Sequence, residues 1–131
     1  MRYPFEVPFA SLVGKTLTSV TNKGDELLFV CSDGYEYRMY HSQDCCESVS
    51  IEDMDGDLQE LVGLPITVAD ESSSSELPEG VEPPECRDDE ETWTFYRISN
   101  EKVFITIRWY GSSNGYYSTE VSFQQTAPLK E

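Results

Sequence analysis

Residues 92–123 constrain this chain more than any other stretch. They read TWTFYRIS, NE, KVFITIRWY and GSSNGYYSTEVSF. Three β-branched and aromatic runs broken by turn chemistry predict an antiparallel meander. Side chains alternate sides along a strand, so the faces separate. A two-residue turn at Asn100-Glu101 pairs Ser99 with Lys102 and places Trp93 opposite Arg108. One face then carries Tyr96, Ile98, Val103, Ile105, Ile107 and Trp109, joined by Tyr117, Thr119, Val121 and Phe123 if the next loop keeps parity. That is a core face. The other carries Trp93, Phe95, Arg97, Phe104, Thr106, Arg108 and Tyr110, then Tyr116, Ser118 and Glu120. It is too aromatic for a plain solvated surface. Either a second layer covers it or it binds something.

Upstream, Pro4 and Pro8 extend an arm to about Phe9. Ala10 to Val13 reads as a short turn that Gly14 ends in a left-handed cap. Strands follow at Lys15–Thr21, Glu26–Cys31 and Tyr35–Tyr40, with turns at 22–25 and at Asp33-Gly34. His41 to Glu47 is a loop and Ser48 to Ile51 a short strand. Asp57 to Val62 reads as a short helix with Asp57 as its N-cap and Gly63 at its end, before a strand at Ile66–Ala69. SLVGKTLT (Ser11–Thr18) and ELVGLPIT (Glu60–Thr67) echo each other. Two related halves facing each other would explain the match. One short match is better explained by the likeness of any glycine-capped turn that feeds a strand. The expected fold is α+β and mainly β: one domain over 1–131, a compact antiparallel sheet of meander or roll type with one or two short helices.

The formal net charge is −16. Asp70 to Glu91 supplies more than half of it, with ten acids against Arg87 alone. This Ser-, Pro- and Glu-rich stretch has too few apolar side chains to offset ordering entropy. It is therefore expected to be a flexible loop (70–91) without regular structure from 71 to 90. The field repels nucleic acid and anionic membranes and attracts basic proteins. No apolar run is long enough to span a bilayer, and Pro4, Glu6 and Pro8 interrupt any signal-peptide pattern. A cytoplasmic location is expected, with Cys31, Cys45, Cys46 and Cys86 reduced. His41, Cys45 and Cys46 make only half of a zinc site. Asp53, Asp55 and Asp57 fail the calcium-loop pattern, because Gly56 comes too early and Leu64 stands at the twelfth position. Neither a metal nor a cofactor is expected.

Three functions remain. The first is non-enzymatic capture of a small anionic, nucleotide-like ligand. Trp93 or Tyr110 would stack on it while Arg108 and the loop of Gly111, Ser112, Ser113, Asn114 and Gly115 hold its phosphate. His41, Ser42 and Gln43 are second contributors. The plain alternative for these residues is a structural cation–π pair beside an ordinary hairpin loop. The second function is an acidic inhibitor that mimics nucleic acid and meets a protein through Asp70 to Glu91. The third, ranked last, is a hydrolase using His41 with Cys45, Cys46 or Asp44. Asp44 and Glu47 flank the thiols and oppose their ionisation.

The runs HSQDCCESV (His41–Val49), GDL-x-x-LVG-x-PI (Gly56–Ile66), TWTFY (Thr92–Tyr96) and TIRWYG-x-SNGYYS (Thr106–Ser118) resemble a family of small bacteriophage and prophage proteins without an assigned activity. The resemblance covers Leu12 to Phe123 apart from the acidic stretch. It implies a viral setting in a host cytoplasm, where such proteins counter host defence. They either sequester nucleotide signals or act as acidic decoys for a defence protein. Self-association is left open.

Overall fold

The structure, a computed structural model, describes residues 5–43, 46–81, 90–114 and 118–127. Nine strands are seen among them: β1 Phe5–Glu6, β2 Leu17–Asn22, β3 Glu26–Cys31, β4 Glu36–Tyr40, β5 Ser48–Asp55, β6 Val68–Ser74, β7 Glu90–Ser99, β8 Phe104–Ser113 and β9 Ser122–Ala127. They form two antiparallel sheets, ordered β1-β9-β4-β3-β2 and β5-β8-β7-β6. The helical content is two 3-10 turns, Phe9–Leu12 and Leu58–Leu61. The fold is therefore mainly β, and the α+β expectation is corrected. Asp57 does cap the second turn, accepting from Gln59 N at 3.0 Å, but four residues are too few for an α-helix.

The facing sides of the two sheets share one core. Leu27, Phe29, Tyr37 and Met39 come from the first sheet, and Tyr96, Ile98, Ile105, Ile107 and Trp109 from the second. Phe9 bridges them, with its ring 4.8 Å from Tyr96 and 5.1 Å from Phe123, both edge-on. The Trp109 indole N–H donates to Met39 Sδ at 3.2 Å across the gap.

Only the first hairpin of the expected meander forms. The β7–β8 register runs Ser99↔Phe104, Phe95↔Arg108 and Trp93↔Tyr110, so Trp93 does not face Arg108. The turn has four residues because Asn100 organises it. Its Oδ1 accepts from Lys102 N at 2.8 Å and Val103 N at 2.9 Å, and its N–H donates to Val103 O at 3.0 Å. Asn100 Nδ2 also donates to Glu60 O at 3.1 Å, pinning the hairpin to the second 3-10 turn. The slip is even, so each residue keeps its expected face.

The expected third strand, Tyr116–Phe123, is also corrected. Tyr116 and Tyr117 lie outside the described residues. Residues 118–121 are irregular, and β9 joins the other sheet between β1 and β4. The free side of β8 is taken by β5 instead. Val121 and Phe123 are buried all the same. Inward residues of either sheet enter the same core.

Two further boundaries move. Asp70 to Ser74 belong to β6, paired from Asp70↔Arg97 to Ser74↔Trp93. The expectation of no regular structure therefore fails there, and residues 82–89 lie outside the described set. Gly111 to Ser113, read as loop, are the end of β8, and their backbone is committed to the ladders with β5 and β7. Cys46 is disulfide-bonded, against the expectation of reduced thiols, while Cys31 is free and buried.

The internal echo is structural. Leu12 matches Leu61, Gly14 matches Gly63, Leu17 matches Ile66 and Val20 matches Ala69, at one constant spacing, and all but the glycines are buried. Gly14 N donates to Ile66 O at 2.8 Å, and its counterpart Gly63 N donates to Leu17 O at 3.0 Å. Both glycines hold positive φ, +89° and +98°. Thr16 bridges to Pro65, its own counterpart, which marks a local two-fold axis. The first 3-10 turn contacts β6 and the second contacts β2, so each half caps the other. Units β1–turn–β2–β3–β4 and β5–turn–β6–β7–β8 are thus related, with β9 inserted into the first sheet. This overturns the plainer explanation of the matching segments.

Candidate functional site

The expected ligand face is the outer side of β7 and β8. Trp93 is 0% exposed there. Its ring lies 5.2 Å from Tyr110 at 46°, with Tyr110 directly opposite on β8. Tyr110 Oη donates to Glu91 Oε2 at 2.7 Å. Arg108 is half-buried, and its Nε donates to Glu52 Oε1 at 2.7 Å. A bulge between Ile51 and Asp53 makes Glu52 the extra residue of β5, so Asp53 approaches the same guanidinium at 3.9 Å. Ser112 and Ser113 are buried and Asn114 is exposed. The face therefore brings Trp93, Tyr110 and Glu91 together, with Arg108 beside them already neutralised. A sealed indole presents no face to a base, and an anion at Arg108 must share the guanidinium with Glu52 and the nearby Asp53.

His41 and Gln43 belong to a second group. His41 Nδ1 contacts Glu120 O at 2.6 Å and Nε2 contacts Glu47 Oε2 at 2.7 Å. Gln43 Nε2 donates to Glu47 O at 2.6 Å. A carbonyl only accepts, so Nδ1 carries a proton, while Nε2 meets the Glu47 carboxylate in a nearly buried pair. Both ring nitrogens are thus occupied. Acting as a base for a nucleophile would cost His41 a buried hydrogen bond. Asp44 and Cys45, its expected hydrolase partners, lie outside the described residues. Burial, then the Asp33 carboxylate, pushes the Cys31 thiol up to about 11, with Lys15 working the other way, so Cys31 is a poor nucleophile near neutrality.

A different feature emerges between the inner side of the second sheet and the segment crossing to β9. A cleft of about 260 Å3 opens there, lined by Glu71 and Ser73 of β6, Thr92 and Thr94 of β7, and Thr119 and Glu120 of the crossing segment. Gly111 lets that segment lie close: a Cβ at 111 would sit 2.8 Å from Thr119 Cβ and 3.2 Å from Thr119 O. Thr119 Oγ1 donates to Thr92 Oγ1 at 2.8 Å, and His41 holds Glu120 O from the other side. Partial burial, then the carboxylates of Glu120 and Glu6, raise the pKa of Glu71, with the Tyr96 hydroxyl opposing them. Tyr96 stands opposite Glu71 on the neighbouring strand and is fully buried. Its hydroxyl is sealed from solvent beside the Glu71 carboxylate, and the interaction between the two shifts both groups. Burial, then Glu71, Glu6 and Glu120, pushes the Tyr96 pKa far above its usual value. Among the described residues no lysine or arginine lines the cleft.

Sequence reasoning missed this cleft because Glu71 and Ser73 sit in a run that looks like low-complexity polar chain. The available signal was parity. Ala69 points inward, so a strand continued past it turns Glu71 and Ser73 inward as well. Among the described residues no group of three or more His, Cys, Asp or Glu side chains could hold a metal ion. No helix there is long and apolar enough to cross a membrane.

A family model described as a domain of unknown function, DUF7448, matches residues 10–123. No curated protein and no solved structure matches the chain.

Proposed function

Since the chain belongs to the DUF7448 family, which brings no activity with it, we propose from its own surface that it is a non-enzymatic binding protein for a positively charged partner protein. One observation carries this reading. The described arginines, Arg38, Arg97 and Arg108, are each paired with a carboxylate, at 2.8 Å to Glu26, 3.4 Å to Asp70 and 2.7 Å to Glu52. Lys15 is likewise held by Asp33 at 2.7 Å. Four of the nine lysines and arginines are thus held by the chain's own acids, and a net charge of −16 leaves most of its acid without a cation. Such a field steers basic surfaces into encounter and repels anionic ones. The partner is a protein with a basic, nucleic-acid-binding surface. In a phage setting it would be a host defence protein.

Calorimetry on the full chain tests this against nucleotide capture. A lysine-rich peptide should bind, with affinity falling steeply as salt screens the field. A panel of linear and cyclic nucleotides should give no heat. Nucleotide binding that Arg108→Ala abolishes, with no peptide binding, would overturn the reading in favour of anion capture.

A further inference from the structure

We infer that the free edge of β6 accepts an extended, basic peptide segment as an added strand. Among the described strands β6 is the last of its sheet, with no neighbour beyond it. The ladder fixes which of its groups point outward. Asn100 N donates to Val103 O, its register partner across the β7–β8 turn. Alternate residues back along β7, Ile98, Tyr96, Thr94 and Thr92, therefore turn their N–H and C=O toward β8. Ser99, Arg97, Phe95 and Trp93 face β6 instead, where they meet Val68, Asp70, Ser72 and Ser74. The residues between, Ala69, Glu71 and Ser73, present their backbone N–H and C=O to the open side. Among the described residues nothing bonds those outward groups.

The other edges among the described strands are short, blunted or covered. β1 has two residues, and β5 carries the bulge at Glu52. β2 is the counterpart of β6 in the first half, and it is covered. Gln59 Nε2 donates to Val20 O at 2.8 Å and Gly63 N to Leu17 O at 3.0 Å. At the spacing that relates Val20 to Ala69, Gln59 corresponds to Ala10. Alanine has no side-chain donor, so Ala69 O lacks the cap that Val20 O receives. Asp70 to Ser74 are exposed. The β6 register runs without a bulge, and the strand holds no proline or lysine, the devices that blunt natural edges. Charge then chooses the occupant. β6 carries Asp70 and Glu71 and no cation, and exposed Glu76 and Glu79 follow it. A second copy would lay acids beside acids, with −16 on each chain. A strand bearing lysines reverses that sign. The site thus rests on the basic-partner reading proposed above.

The test is amide hydrogen exchange on the full chain, read by nuclear magnetic resonance. The probe is an acetylated, amidated heptapeptide of alternating lysine and valine. In the free protein the amides of Glu71 and Ser73 should exchange faster than those of Asp70 and Ser72, which are committed to β7. Peptide at about ten times its Kd should slow Glu71 and Ser73 about tenfold. The same peptide N-methylated at every residue keeps its charge and loses its backbone donors, and it should bind at least about tenfold more weakly. Ser73→Pro removes an outward N–H and no ladder bond, so thermal stability should barely change. Peptide affinity should fall at least roughly threefold, the worth of one net hydrogen bond. If Ser73→Pro does not fold, the N-methylated peptide decides alone. Equal binding of the N-methylated peptide, or unchanged exchange at Glu71 and Ser73, would overturn the edge, while binding of the lysine peptide keeps the partner reading standing. A neutral threonine–valine heptapeptide that protects the same amides as tightly would overturn the basic occupant and the partner reading with it. Protection that grows with protein concentration in the absence of peptide would assign the edge to a second copy and overturn the proposal.

Discussion

Gly111→Ala gives the sharpest test of how the crossing segment is held. The new Cβ would stand 2.8 Å from Thr119 Cβ, 3.1 Å from Val49 Cγ2 and 3.2 Å from the Thr119 carbonyl oxygen. Carbon atoms prefer about 3.5–4.0 Å, so Thr119 must retreat by most of an ångström. That strains its hydrogen bond to Thr92 and the grip of His41 on Glu120 O. Overpacking of this kind costs roughly 1–3 kcal/mol. Alanine regains roughly 0.5–1 kcal/mol over glycine in a strand. The expected net loss is about 1 kcal/mol within a range of roughly 0–2.5 kcal/mol, or roughly 4 °C in Tm for a chain this long. Urea and thermal melts followed by circular dichroism measure it. The same substitution in a Thr119→Gly background should cost at least about 0.5 kcal/mol less, because the closest atom is gone. An identical effect in both backgrounds would refute the placement of residues 118–121 across Gly111.

Trp93→Ala should lose roughly 3–5 kcal/mol of stability, as a buried aromatic does; a urea-melt loss below about 1 kcal/mol would return the indole to the surface as a stacking platform. The raised pKa of Glu71 means the folded state holds its proton to higher pH than the unfolded chain. Stability should therefore fall as pH rises from the ordinary value of 4.5 through the raised one, and Glu71→Gln should remove that slope from urea midpoints measured against pH. The Cys31 thiol, likewise raised, should lose the protein stability between its ordinary pKa of 9.0 and about 11; the Cys31→Ser variant should lack that alkaline loss, and native Cys31 should resist iodoacetamide at neutral pH until urea opens the core.

Local chemistry, which a sequence states directly, determined the strands and their faces. Glu26–Cys31 came out at its expected bounds, the Gly14 and Gly63 caps hold positive φ, and Ile105, Ile107, Trp109, Val121 and Phe123 all point inward. Alternation and turn residues act over a few positions, and an even register slip leaves them unchanged. Pairing was decided elsewhere. Whether β8 receives β5 or the next segment depends on which strand buries its edge best, and that competition involves residues far apart in the chain. For the same reason Trp93 reads as a ligand platform in sequence and is sealed in the fold, and Arg108 reads as free and is claimed by Glu52 across a bulge. The paired LVG segments were visible as letters, but only the reciprocal hydrogen bonds of Gly14 and Gly63 make them two halves of one architecture. The cleft belongs wholly to the tertiary level. Glu71 and Glu120 lie far apart in the chain, and each looks like ordinary solvated acid until β6 and the crossing segment bring them to opposite walls of one space.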